Sequence, residues 1–227
     1  MSLSQTLPQT LLELSRRHMA ALSPRERADF EDELDRLRML RVAEDGLAVG
    51  DILPDFTLED GAGRTWTSGE LLDRGPLVLA LFRGGWCPYC ELTMAALEEA
   101  RPAIERLGAM PVGVMPGGRE QVARTAAQRG VRYPLLSDPG NGFAHTCGLA
   151  YELSPQHVRI HKNRGRDLAH LHGEPGWRLP VPAVFVVEPS ARVAWAFADV
   201  DPSRWPDPQA LLASLEALRD VRALSNR

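Results

Sequence analysis

In the stretch FRGGWCPYC, residues 82–90, two of the chain's three cysteines stand two residues apart. A pair at that spacing can be a redox dithiol, half of a metal site, or two core thiols that happen to be neighbours. A thiol attacks only as thiolate, so a redox pair needs a device that lowers the pKa of one sulfur. The flanking residues supply one. The apolar run LVLALF, 77–82, has the length of a strand buried on both faces. A short loop then leads to cysteines that open a helix, with Cys87 at its cap and Cys90 in its first turn. Unpaired backbone N–H groups and the helix dipole favour negative charge there. Pro88 suits the first helical position, where a missing N–H costs nothing. Two intervening residues let the sulfurs meet across one turn, as a disulfide requires. Trp86 is placed to shield one side of the thiol from water. Tyr89 is expected to face solvent beside the dithiol and line a substrate groove. Arg83 either holds a thiolate and guides an acidic substrate or is a solvated loop residue.

The rival chemistries are weaker. Free cysteine is among the most buried residue types, so two core thiols are the plain alternative. Zinc needs two further ligands, and His157 with His161, at i,i+4 spacing, are the candidates. There is no second CxxC, so neither a metal nor a cofactor is expected. Cys147, in GFAHTCGLAYEL, reads as an apolar core position, with a resolving or regulatory cysteine as the alternative. His170 and His172 read as surface residues.

Bulk properties exclude whole classes of function. The 227-residue chain is 44% hydrophobic and carries a net charge of -4, which gives no electrostatic case for nucleic acid. No apolar run approaches the roughly 20 residues of a membrane helix. The N-terminus lacks the pattern of a secretory signal, so a cytoplasmic location is expected.

The elements that must position the dithiol follow from periodicity. Residues 1–46 read as a helical extension. Ser23-Pro24 makes a helix start, Phe30, Leu34 and Leu37 fall at helical spacing, and Gly46 is a plausible stop. From residue 47 to 227 short strands alternate with helices, which predicts an α/β domain with a mixed sheet. DFTLED, GAG and RTWTSGELL read as strand, turn, strand and short helix. A helix is predicted from Pro88 to Leu107, then strand MPVGVM, helix GREQVARTAAQRG ended by Gly130, and strand YPLLSD. AVFVVEPSARVAWAFAD reads as a hairpin and DPQALLASLEALRDV as a closing amphipathic helix. Residues 154–180, rich in His, Arg and Gly, are the least regular part.

A CxxC opening the first long helix, with Val181-Pro182 just before a later apolar strand, resembles the thioredoxin fold. That likeness implies a cis Val181-Pro182 bond facing the dithiol, with Val181 and Pro182 beside the substrate. VGDILPDFTLEDGAGRTWTSGELL, LVLALFRGGWCPYC and the hairpin together resemble the peroxiredoxin-like branch of the AhpC/TSA (alkyl hydroperoxide reductase, thiol-specific antioxidant) family, over about residues 48–220. The motif of true peroxiredoxins is P-x-x-x-T-x-x-C. Laid on this chain it puts Cys90 in the peroxide-attacking position and Cys87 in place of the threonine. The later arginine has no clear equivalent, Arg178 being a poor substitute. The dithiol resembles thioredoxin, but the buried acid six residues before the first cysteine is Leu81 here.

The resemblance implies a peroxiredoxin-like thioredoxin fold and a thiol oxidoreductase. The leading expectation is dithiol–disulfide chemistry, in which Cys87 is the more exposed attacking thiolate and Cys90 resolves. The alternative is a thiol peroxidase with Cys90 attacking and Cys87 resolving. A non-catalytic redox-sensing or partner-binding module that uses the helical arm is the third. The implied partners are a disulfide or peroxide substrate and a thiol electron donor, and a homodimer is compatible with the family.

Overall fold

The computed structural model describes residues 5–173 and 175–225. Residues 1–4 of the predicted extension and 226–227 of the predicted domain lie outside this range.

The chain opens with two helices, α1 (Leu7–Ala20) and α2 (Pro24–Met39). Ser23 caps α2 through a full capping box. Its side chain accepts from the Glu26 N–H, and the Glu26 carboxylate accepts from the Ser23 N–H. The predicted stop at Gly46 is not where α2 ends. It ends at Met39, and Gly46 instead allows close approach, since a Cβ there would stand 2.4 Å from Leu149.

Then follow β1 (Thr57–Asp60), β2 (Thr65–Thr67), α3 (Ser68–Leu72), β3 (Leu77–Leu81), α4 (Pro88–Arg106), β4 (Met110–Met115), α5 (Arg119–Arg129) and β5 (Leu135–Ser137). The second half comprises α6 (Gly142–Thr146), β6 (Ala150–Glu152), α7 (Pro155–Asn163), α8 (Leu168–His172), β7 (Arg178–Pro180), β8 (Ala183–Val187), β9 (Val193–Ala198) and α9 (Pro208–Ser225). Gly130 ends α5 in the left-handed region, φ 65°.

Seven strands form one sheet in the order β2-β1-β5-β4-β3-β8-β9, and β6 pairs with β7 separately. β3, β4 and β5 are parallel, while β8 runs antiparallel to β3. β3 is therefore interior, as its unbroken apolar run predicts. Its side chains alternate between two cores. Leu77, Leu79 and Leu81 join one, and Val78 and Ala80 join the other with Phe82, Cys87, Cys90, Leu11 of α1 and Leu215 of α9. The dithiol thus sits on the sheet face covered by α1, α4 and α9.

Residues 154–180 are more ordered than their composition suggests, holding α7, α8 and β7. Among the described residues there is no cis peptide, so the Val181–Pro182 bond is trans, contrary to the thioredoxin-like expectation. Val181 is tied into the fold otherwise: its N–H donates to Leu149 O at 2.8 Å, and Pro182 O accepts from the Asp199 N–H.

Candidate active site

The loop between β3 and α4 is shaped by its two glycines. Gly84 has φ +129°, a conformation side chains rarely adopt, and a Cβ on Gly85 would lie 2.3 Å from Thr125 Oγ1. The loop delivers Cys87 to the N-cap of α4 in extended conformation, with Pro88 opening the helix. The Cys87 N–H donates to Gly84 O, and Cys87 O accepts from the Glu91 N–H. Cys90 lies one turn on, where its sulfur accepts from the Arg83 N–H at 3.3 Å. All three cysteines are free and buried.

The two sulfurs differ in electrostatics rather than exposure. Cys87 was expected to be the more exposed, yet Cys87 is 1% and Cys90 3% exposed. The reason is the N-terminal pair of helices, which lies over the thiols. Burial alone would raise the Cys87 thiol. A hydrogen bond from Cys90, the Arg83 guanidinium and backbone N–H groups of α4 outweigh it and bring the thiol down to about 6. Cys90 is pushed well above the usual thiol range by burial, by donating to Cys87 and by the charge on Cys87. Arg83 is itself buried, so of its two alternative readings the solvated loop residue does not hold. Burial works against its charge, but the phenol of Tyr151 and both thiols sustain it. Cys147 is pushed up to about 12, chiefly by burial, and packs in the opposite core with Phe143 and Leu149. It is an apolar core position.

Cys87 opens onto a narrow, partly open cavity of about 30 Å³. Of the predicted site residues, Arg83, Trp86, Cys87, Pro88 and Tyr89 line it; Cys90, Val181 and Pro182 do not. Tyr89 is buried, not solvent-facing, and its hydroxyl is 3.1 Å from His18 Nδ1 on α1. Trp86 donates from Nε1 to His172 Nε2 at 3.2 Å and meets His161 edge-on, with ring centroids 5.3 Å apart.

Residues not predicted as part of the dithiol site complete the wall. His18, Leu22 and Phe30 come from the helical arm, and His157, His161, Arg164 and Arg166 from α7 and the segment after it. His172, expected at the surface, is 2% exposed, whereas His170 is exposed. Burial is the first cause that lowers the three buried histidines, to about 4 for His157 and His172 and about 2 for His161; the Arg83 charge lowers each further. All three are therefore neutral at ordinary pH. The i,i+4 spacing of His157 and His161 was the one sequence signal that pointed to this wall. The zinc reading drew on it. Among the described residues, no three or more His, Cys, Asp and Glu side chains are grouped to hold a metal ion.

A larger cleft of about 570 Å³, lined by Trp66, Met110 and Tyr133 among others, contains no cysteine. The dithiol residue Cys87 lines only the smaller cavity of the two.

Comparison with known proteins agrees with this architecture. Residues 49–196 match the model of the AhpC/TSA family. Thiol-disulfide oxidoreductase ResA of Geobacillus thermodenitrificans is 31% identical over 105 residues, which are 45% of this chain and 59% of ResA, so the match spans under two thirds of that relative. Peroxidoxin BcpB from Mycobacterium tuberculosis superposes with a TM-score of 0.59 at 23% identity, over 75% of this chain and 97% of the other. A peroxiredoxin-like protein from Aquifex aeolicus gives 0.60 at 15% identity, over 77% and 89%. These structural likenesses speak for the fold: a mixed sheet flanked by helices, as in peroxiredoxins. With the family model covering well over half its length, the chain belongs to the AhpC/TSA family.

Proposed function

We propose that the protein is a thiol oxidoreductase working through a Cys87–Cys90 dithiol, with Cys87 as the attacking thiolate and Cys90 as the resolving thiol. The observation that carries this reading is the division of labour at the start of α4. Cys87 is the thiol lowered to about 6, and Cys90 is held protonated beside it. In thiol–disulfide exchange, Cys87 S⁻ attacks one sulfur of the substrate disulfide, which expels the other as thiolate and leaves a mixed disulfide. Cys90 then attacks the Cys87 sulfur. The second substrate thiolate leaves with the Cys90 proton, and the Cys87–Cys90 disulfide forms. A thiol electron donor returns the pair to the dithiol, and we assign this cycle to a reducing compartment such as the cytoplasm.

The size of the cavity favours a second reading on the same residues. About 30 Å³ holds one or two water-sized groups, so a small peroxide fits where a protein disulfide does not. There Cys87 S⁻ attacks the peroxide oxygen, giving Cys87–SOH and an alkoxide. Cys90–SH then condenses with the sulfenic acid to form the disulfide and release water. This differs from the peroxidase suggested by motif alignment, in which Cys90 attacks.

The test compares Cys87→Ser and Cys90→Ser. Cys87→Ser should abolish both disulfide and peroxide consumption. Cys90→Ser should trap a mixed disulfide with a disulfide substrate, or a sulfenic acid on residue 87 with peroxide. A Cys87→Ser variant that still consumed stoichiometric peroxide through Cys90 would reverse the assignment.

A further inference from the structure

The wall of the Cys87 cavity holds more positive and donor capacity than a single thiolate uses. Arg83, Arg164 and Arg166 line it, and no carboxylate does. Two acids near the wall are committed elsewhere: Glu26 to Ser23 and Arg164, Glu33 to Arg36 and the Ser154 N–H. Arg83 and Arg166 make no ion pair among the described residues. Four buried nitrogens on this wall lack any partner, namely Arg83 Nε, His157 Nδ1, His161 Nδ1 and Arg164 Nε, the first three on residues 7%, 5% and 4% exposed. Buried donors left unpaired are costly, and together they mark a place for an acceptor. Each neutral imidazole can present an N–H at Nδ1.

We propose that this cavity is a binding site for one small monovalent anion of about chloride size, held by Arg83, Arg166, His157 and His161 beside Cys87. Size and charge both select it. The space admits one or two water-sized groups and excludes large organic anions. The surplus of guanidinium charge excludes cations. The ion and the Cys87 thiolate compete for the same arginines, so each weakens the other. The inference concerns the cavity and does not require Cys87 to be redox-active.

The test uses the full-length chain and chloride, with gluconate as an excluded anion at equal ionic strength so that screening is the same in both. At about pH 6, where the Cys87 thiol is near half-ionised, chloride should lower the thiolate ultraviolet absorbance relative to gluconate. At about pH 7, where most of the Cys87 thiol is ionised, chlorine NMR line broadening should show chloride binding about tenfold tighter to Cys87→Ala, which lacks the competing charge. His157→Phe and His161→Phe should each weaken that binding. If one of them fails to fold, the other and the Cys87→Ala comparison still decide. Identical absorbance in chloride and gluconate, or equal chloride binding in wild type, Cys87→Ala and the phenylalanine variants, would overturn the site. Wild-type protein that binds chloride but turns over neither disulfide nor peroxide would count against the proposed enzyme function and leave the site standing.

Discussion

Arg83 reaches the two cysteines through different groups, and its charge lowers both thiols. Its backbone N–H donates to the Cys90 sulfur at 3.3 Å, while its guanidinium lies in the wall of the cavity onto which Cys87 opens. One residue thus holds the Cys90 sulfur with its main chain and lowers the Cys87 thiol with its side chain. The N-terminus of α4 assists, but burial works against ionisation, so the cation is needed.

Arg83→Gln should therefore raise the Cys87 thiol by about one unit or more while the backbone bond to Cys90 persists. The alkylation rate of Cys87 against pH measures it. An unchanged profile would remove Arg83 from the account.

The helical arm should control access. The His18–Tyr89 bond joins α1 to the first turn of α4 at 3.1 Å. Tyr89→Phe removes it, at a cost of about 0.5–1.5 kcal/mol in stability. Cys87 should then react several-fold faster with a bulky maleimide but little faster with a small alkylating agent. Equal acceleration of both reagents would mean that the arm does not gate by size.

Acid should destabilise the fold through its buried histidines. Their folded pKa values, about 4, 2 and 4 for His157, His161 and His172, lie below the ordinary 6.5. The unfolded chain binds protons first, so this contribution is fully present above about pH 6.5 and is lost as pH falls toward the folded values. Each histidine adds up to about 1.4 kcal/mol per pH unit within its window. Denaturant midpoints should fall steadily from about pH 6.5 to 4, and His172→Phe should flatten the slope. A flat wild-type profile over that range would contradict the burial of neutral imidazoles.

The sheet, the interior place of β3 and the start of α4 at Pro88 were all legible in the sequence, because apolar runs and a proline at the first helical position are local signals. Cys87 at a helix cap was legible for the same reason. The wall that closes over it was not. His18, Phe30, His161 and His172 come from segments far apart in the chain, and polar residues buried against Trp86 leave no hydrophobic period to read. Tyr89 was expected in solvent, but it is buried and its hydroxyl meets His18 of α1. The trans bond at Val181–Pro182 also depends on context, since the residues alone favour neither isomer strongly.

The most direct test of the central claim is the ionisation of each thiol by itself. In a Cys90→Ser, Cys147→Ser protein, the serine hydroxyl can still donate to the Cys87 sulfur, so the iodoacetamide rate should rise with a midpoint of about 6. In a Cys87→Ser, Cys147→Ser protein the Cys87 charge no longer raises Cys90, but its burial remains, so Cys90 should react with a midpoint above that of Cys87. A Cys87 midpoint near 9, or a Cys90 midpoint below that of Cys87, would contradict the assignment of Cys87 as the attacking thiolate.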